Sequence, residues 1–150
     1  MPKNAWTKDE ILKLETYTLN SWLAEAQGWE ISPAGYDSLP YWRDEKGFLT
    51  GFSPDPLSGG LSYYNPVESL KRTVKALKNL SKRYQIEIES SYKVEVCPNT
   101  GERKVVLKTR VMGRLDKEQG LACEVFDGGD PETLVRAILW AVGKIDESRG

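Results

Sequence analysis

Asp55, Glu102 and Lys104 are the residues of this sequence whose types and order come closest to a catalytic pattern. Pro54-Asp55 followed by Glu102-Arg103-Lys104 has the residue types of a P-D…E-x-K site, in which acidic groups hold Mg²⁺ for nuclease chemistry. This spacing is permissive, Glu102 falls beside a predicted turn, and nothing places Asp55 on a neighbouring strand. We therefore keep a metal-dependent nuclease only as an alternative, and we predict no catalytic residue, no metal site and no cofactor.

The composition excludes several other catalytic classes. The chain has no histidine, which excludes Ser-His-Asp triads, Cys-His dyads and zinc sites that use histidine. Cys97 and Cys123 are too few for an all-cysteine zinc site, and we expect both to be buried thiols. Asp127 and Asp130 are best explained as a turn residue and a helix cap, and no phosphate-binding glycine motif occurs.

Aromatic side chains are concentrated in a stretch rich in proline and glycine, residues 29–65. Their flat faces could stack on a base or line a pocket, or they could pin a long loop to the core. The aromatic residues that we consider as ligand-binding candidates are Tyr41, Trp42, Phe48, Tyr63 and Tyr64.

Positive charge is concentrated in the middle of the chain. Residues 66–110 carry 11 basic and 5 acidic side chains, whereas the whole chain has a formal net charge of -1. Two-residue alternation places Lys104, Lys108 and Arg110 on one strand face, where they could bind an anion or form cross-strand ion pairs with glutamates. Arg136 joins these candidates because a guanidinium group offers a planar fork to phosphate.

The second predicted helix carries its own basic face. Lysines recur there at helical spacing, with an arginine beside them, as Lys71, Arg72, Lys75, Lys78 and Lys82. Such a face could attract phosphate groups of nucleic acid, or it could be an ordinary solvated face opposite the core.

Local signals place the first elements. Thr7 and Glu10 have capping-box spacing and predict a helix start, and Gly28 predicts its end, although the poor helix formers at 16–18 could break this helix in two. Tyr41-Trp42 and Phe48-Leu49 flank a turn at 43–47 and predict a short hairpin.

Further signals place the remaining elements. Asn65-Pro66 predicts a second helix start, with an apolar face formed by Val67, Leu70, Val74, Leu77 and either Leu80 or Ser81. Alternating residues predict a strand within 85–96, with Ile86, Ile88, Tyr92, Val94 and Val96 on one side. Another strand follows a turn at 98–101, a third spans 121–126, and a last helix begins after Asp130.

This order predicts an α+β fold. We expect an antiparallel sheet of three to five strands packed with three helices, in the order α, irregular segment or hairpin, α, β, β, β, α. A chain of 150 residues is expected to form one domain over 1–150, with a long irregular aromatic segment at 29–65. The start MPKNAWTKDE lacks the apolar core of a signal peptide, so we predict a cytoplasmic protein without a membrane segment.

Four segments resemble the phage ABA sandwich family. They are Glu10-Ile11-Leu12-Lys13-Leu14-Glu15, the run from Leu19 to Trp29, Tyr64-Asn65-Pro66 leading into a helix, and Pro131 to Leu139. The resemblance implies a small phage or prophage domain in the cytoplasm of a host cell, with no established catalytic residues to carry over. It also favours an accessory binding protein over an enzyme.

Our leading hypothesis is a non-enzymatic binding protein that antagonises host defence. It would sequester a small anionic, nucleotide-like ligand between the aromatic residues and the basic strand or helix, or dock on a host defence protein through the same aromatics. Nucleic-acid binding by the basic helix is a further alternative, which the sequence pI of about 5.6 disfavours. A homo-oligomer is possible through the edge strands.

Overall fold

Four α-helices and two antiparallel three-stranded sheets make up the chain over the residues that the computed structural model describes, which are 6–33, 40–44, 46, 49–52, 64–115 and 120–149. The helices are α1 (Lys8–Leu12), α2 (Thr16–Ala26), α3 (Leu70–Leu80) and α4 (Pro131–Arg149), with a 3₁₀ turn at Pro66–Glu68. The strands are β1 (Glu30–Pro33), β2 (Pro40–Arg43), β3 (Leu49–Phe52), β4 (Ile86–Val96), β5 (Arg103–Arg114) and β6 (Leu121–Asp127). The α+β class is confirmed, with the strands divided between two sheets.

The first helical region begins and ends where local signals predict. The Thr7 hydroxyl accepts from the Glu10 amide, and the Glu10 carboxylate accepts from the Thr7 amide, both at 3.2 Å. The predicted break occurs before Thr16, because residues 13–15 leave the helix and Thr16 begins α2. Gly28 adopts a φ of +87°, which turns the chain from α2 towards β1.

The aromatic segment contains more regular structure than its composition indicates. The predicted hairpin is confirmed as β2 and β3, with Tyr41 opposite Phe52 and Arg43 opposite Leu49. A third strand, β1, pairs antiparallel with β2, and it was not predicted. This strand is four residues long and ends in Pro33, so its own sequence carries little strand signal.

The second helix starts later than predicted and buries a face that differs in part from the predicted one. Asn65-Pro66 begins a 3₁₀ turn, and α3 starts only after Ser69, whose hydroxyl accepts from the Arg72 amide. Val67 and Leu80 of the predicted apolar face are buried and Leu77 packs against the core, which confirms that part of the prediction. Leu70 and Val74 are exposed, and Thr73 and Ala76 are buried instead, so the rest of the predicted face is wrong. Burial of Thr73 is possible because its hydroxyl donates to the Pro66 carbonyl at 2.7 Å.

The core lies between α4 and the sheet β4-β5-β6. Val111 and Phe126 face α4 from the sheet, while Val135, Ile138 and Ile145 face the sheet from α4, and all five are buried. The register of β4 with β5 runs without a shift from Ile86 opposite Gly113 to Val96 opposite Arg103. This hairpin continues past the helices, so its apolar face is covered only at the Ile86 and Ile88 end.

Both cysteines are exposed, which corrects the expectation of two buried thiols. Cys97 follows β4 at the tip of the hairpin, and Cys123 lies on the edge strand β6 opposite Met112 of β5. Cys97 lies beyond the layer of helices, and Cys123 is on the face of the sheet that points away from α4. A hydrogen bond from the Thr100 side chain lowers the pKa of Cys97.

Over the described ranges, no helix combines the length and the apolar character that crossing a membrane requires.

Candidate functional site

A cavity of about 620 Å³ lies between α2, the sheet β1-β2-β3 and α4. Four of the five tryptophans of the chain line it, namely Trp6, Trp22, Trp29 and Trp42. The volume falls within the range of roughly 300–1,000 Å³ that is usual for small-molecule sites. Size and lining together make this cavity the strongest binding-site candidate among the described residues.

Two helices each line the cavity with residues spaced three or four positions apart. In α2, Trp22, Glu25 and Ala26 lie three and four residues apart and therefore share one helix face. In α4, the same spacing brings together a second set of lining residues, Leu139, Val142, Gly143 and Asp146. The cavity is thus framed by the sides of two regular helices, which hold their side chains more firmly than a loop would.

The tryptophan rings are held by contacts with other aromatic rings. Trp6 stacks on Trp22 with ring centroids 4.8 Å apart and an interplanar angle of 27°. Trp29 meets Tyr64 at 4.6 Å and 54°. Trp42 is 0% exposed and belongs to the same buried cluster as Trp29, Tyr64 and Ala24. Trp29 and Trp42 therefore back the cavity, and the half-buried rings of Trp6 and Trp22 are the ones that a ligand can touch without rearrangement.

The charged side chains along the cavity are mostly acidic. Glu25, Glu30 and Asp146 line it together with a single described cation, Arg83. Oε2 of Glu25 is buried, and no group in the described part of the chain donates a hydrogen bond to it. Arg83 is already engaged, because its guanidinium donates to the Ala26 carbonyl and lies 5.7 Å from the centre of the Tyr84 ring.

Asp146 and Tyr84 form a hydrogen-bonded pair at one wall. The Tyr84 hydroxyl donates to both carboxylate oxygens of Asp146, at 2.9 and 3.1 Å. Burial and this hydrogen bond raise the pKa of Tyr84 to about 12, so its hydroxyl remains a donor at physiological pH.

The aromatic candidates predicted from the sequence are only partly located. Trp42 lines the cavity, and Tyr64 packs against its wall, where its hydroxyl accepts from the Gln27 amide at 2.9 Å. Burial raises the pKa of Tyr64 to about 12. The side chain of Tyr41, and all of Phe48 and Tyr63, lie outside the described residues.

The basic strand residues lie away from this cavity, which corrects the predicted cleft of aromatic residues and strand cations. Lys104, Lys108 and Arg110 alternate with the core residues Thr109 and Val111, so they occupy the face of β5 that points away from α4. Within the described part of the chain, therefore, the strand cations and the tryptophans do not surround a common space.

Lys108 forms ion pairs within the sheet. Its ammonium group lies 3.2 Å from Glu95 and also pairs with Asp127. Hydrogen bonds with these carboxylates raise the pKa of Lys108, and the same lysine lowers the pKa of Asp127. The alternative of cross-strand ion pairing thus describes Lys108, while Lys104 and Arg110 are exposed.

Arg136 is used to hold the fold, in contrast to its predicted place in a ligand site. Its guanidinium donates to the carbonyls of Ile11 and Leu14 and pairs with Glu132 at 3.3 Å. These bonds satisfy the carbonyls at the end of α1 and tie that helix to α4.

The basic face of α3 meets aromatic residues at one place, a small cavity beside Trp29 and Tyr64. All five of its residues, Lys71, Arg72, Lys75, Lys78 and Lys82, are exposed. Arg72 and Lys75 line a second, smaller cavity of about 160 Å³ together with Trp29 and Tyr64. Aromatic and cationic groups therefore meet at α3 instead of at β5.

Several lining residues were missed by sequence reasoning. Glu25, Tyr84 and Asp146 belong to no motif, and Trp22 is not among the predicted aromatic candidates. One signal was present, because four of the five tryptophans fall within the first 42 residues. An excess of large amphipathic rings in so short a stretch is typical of a binding wall as well as of a core.

The described part of the structure does not bring the acidic residues of the nuclease pattern together. Glu102 is exposed beside the turn at the hairpin tip, and Asp55 lies outside the described residues. In the ranges that the structure covers, no group of three or more Asp, Glu or Cys side chains is arranged to hold a metal ion.

Comparison with protein-family models finds no matching family, and comparisons with curated proteins and with solved structures find no match either. The resemblance to the phage ABA sandwich family therefore stays a prediction.

Proposed function

We propose that this chain is a non-enzymatic binding protein whose site is the tryptophan-lined cavity. The observation that carries the proposal is the cavity of about 620 Å³, walled by Trp6, Trp22, Trp29 and Trp42. Packed aromatic walls supply much of the apolar contact area that a small organic ligand needs, with little cost for ordering side chains. The proposal keeps the predicted binding role and moves the site from the β5 cations to this cavity.

The charge along the cavity favours a ligand that carries a positive group. Three carboxylates and one cation give the described lining an excess of two negative charges, and the buried oxygen of Glu25 accepts no hydrogen bond from any group that the structure describes. A cationic ligand that can donate hydrogen bonds would supply that donor, and any cation would be attracted to the half-buried rings of Trp6 and Trp22. We therefore propose a flat or compact organic cation as the ligand class, in place of the anionic guest expected from the sequence.

An anion site at α3 is a second candidate, favoured by the cavity that Tyr64 shares with Arg72 and Lys75. Its volume of about 160 Å³ is below the usual range for organic ligands, so a small anion such as phosphate suits it best. This candidate retains the predicted pairing of aromatic and basic residues. A role in antagonising host defence, by either site, stays a prediction from the family resemblance.

Tryptophan fluorescence provides a direct test, because four of the five fluorophores line the cavity. Phenyltrimethylammonium, its neutral isostere tert-butylbenzene and benzoate would be titrated in parallel. We expect saturable fluorescence change with the cation, a weaker response to the neutral compound and none with benzoate. Inorganic phosphate, added separately, tests the α3 cavity.

Ala26→Phe should abolish the response, because this side chain lines the cavity from α2 and the added ring would occupy it. Val74→Phe is the matched control, since it adds a ring at an exposed helical position. Equal binding by wild type and Ala26→Phe would contradict the proposed site. Binding of benzoate in preference to the ammonium compound would contradict the ligand class.

A further inference from the structure

The outer edge of β4 is a long, regular strand edge that no described strand covers, although it carries Lys93 and three glutamates. It runs for 11 residues, Ile86–Val96, contains no proline, and keeps one register with β5 throughout. Among the described residues no strand pairs with its other side. In most proteins an edge strand is short, bulged or covered by another element, because its free amides and carbonyls can otherwise pair with another chain.

The apolar face of this strand is also partly uncovered. Tyr92, Val94 and Val96 are 75%, 63% and 57% exposed, because the hairpin continues past the helices that cover Ile86 and Ile88. One half of the strand is thus packed by its own protomer, and the other half presents apolar side chains to solvent. A second strand running in the opposite direction would place the packed half of each copy beside the exposed half of the other.

The hydrogen-bonding pattern determines which residues can pair across this edge. The Cys97 amide donates to the Glu102 carbonyl, and the Arg114 amide donates to the Gln85 carbonyl, so the odd-numbered positions face β5. By alternation, the even-numbered residues of β4 direct their amides and carbonyls outward. A symmetric antiparallel pair therefore joins even residues to even residues, about a two-fold axis that passes through one residue of the strand.

Charge complementarity and the length of the paired segment together select one of these registers. An axis at Ile88 places Glu87 opposite Glu89, and an axis at Val94 pairs Lys93 with Glu95 but joins only residues 92–96 of each strand. An axis at Glu89 or Lys93 places like charges opposite themselves, and an axis at Ser91 or Tyr92 places Glu95 opposite another glutamate. An axis at Ser90 instead places Glu87 of each copy opposite Lys93 of the other, with Ile88 opposite Tyr92 and Ile86 opposite Val94. Within the part of one protomer that the structure describes, Glu87 and Lys93 have no ion-pair partner.

We propose that two copies of this chain dimerise through β4, antiparallel, about a two-fold axis at Ser90. The two sheets then form one six-stranded sheet, with the α4 helices of both copies on the same face. The half of β4 that is packed under the helices in each copy then lies beside the exposed apolar half of β4 in the other copy. The inference does not depend on the ligand proposed for the tryptophan cavity.

Sedimentation or light scattering on the full chain tests the assembly. We expect a mass near twice the 16.9 kDa of one chain. Lys93→Glu should reduce the mass to that of a monomer, because it opposes Glu87, and the double variant Glu87→Lys with Lys93→Glu should restore the dimer. Lys82→Glu makes the same charge change at an exposed site away from the edge and should leave the dimer intact.

Cysteine cross-linking tests the register. In a background with Cys97→Ser and Cys123→Ser, Ser90→Cys should form an intermolecular disulfide under mild oxidation, because residues at the axis face each other. Ser91→Cys should not. A monomeric wild type, a dimer unaffected by Lys93→Glu, a failure of the double variant to restore the mass, or cross-linking through Ser91→Cys would each overturn the proposal.

Discussion

Glu25 is the residue at which the demands of folding and of binding differ. One of its carboxylate oxygens is buried against aromatic walls, and no described group donates to it. A buried acceptor without a donor costs stability, since water satisfied it in the unfolded chain. A residue that destabilises the empty protein while facing a cavity is typical of a binding site.

Replacing Glu25 with glutamine tests this interpretation. We expect Glu25→Gln to raise the free energy of unfolding by about 1 kcal/mol, because a half-buried carboxylate with one unpaired oxygen loses its charge, and to weaken binding of phenyltrimethylammonium. Urea denaturation and fluorescence titration measure the two effects. Glu102→Gln is the control, because Glu102 is exposed at the hairpin tip and does not line the cavity. A loss of both stability and binding would instead indicate that Glu25 supports the fold.

At the scale of elements, α4 organises the rest of the chain. It contacts α1, α2, α3 and all three strands of the sheet β4-β5-β6. Its N-terminus is capped by Asp130, whose carboxylate accepts from the Thr133 amide at 3.1 Å and from the Thr133 hydroxyl. These hydrogen bonds lower the pKa of Asp130 below 3.8, and the prediction of a helix cap at this residue is confirmed.

Removal of this cap should have a pH-dependent cost. Because the folded-state pKa of Asp130 is depressed, its charge stabilises the fold above pH 3.8, and this contribution is lost as the pH falls through the lower folded value. We expect Asp130→Ala to cost about 1 kcal/mol at neutral pH. Asp130→Asn keeps the cap without the charge, so its difference from wild type in urea denaturation should shrink below pH 3.8. A difference that grows in acid would contradict this assignment.

At the scale of the whole molecule, the distance between α4 and the sheet depends on Gly113. A side-chain carbon at this position would lie 3.2 Å from Cδ1 of Ile145 and 3.5 Å from Cβ of Ala141. The absent side chain therefore lets the helix pack directly on β5. The same layer arrangement separates the cations of β5 from the tryptophan cavity.

Enlarging Gly113 should force these layers apart. We expect Gly113→Val to lower the free energy of unfolding by about 1–3 kcal/mol, because the added methyl groups overpack the interface. Thermal and urea denaturation measure the loss. Cys123→Val introduces the same side chain at an exposed position of β6 and should change stability little. Similar stability of both variants would show that the interface tolerates the added volume.

Features with short-range causes were predictable from the sequence. The capping box at Thr7 and Glu10, the end of α2 before Gly28, the hairpin of β2 and β3 and the cap at Asp130 each depend on residues a few positions apart. In contrast, the short β1 needed β2 as a partner, and the buried face of α3 depended on a carbonyl that satisfies Thr73.

The candidate site shows the same division over a longer range. Composition and local pattern were sufficient for an α+β chain without histidine chemistry and with clustered aromatics and a basic α3. Which of these groups meet was decided by tertiary packing: α2 and α4 bring Trp22, Glu25 and Asp146 to one cavity, and alternation along β5 directs Lys108 away from it. Hydrogen bonds within elements depend on neighbours in sequence, whereas a cavity depends on side chains from distant segments, whose approach no local pattern specifies.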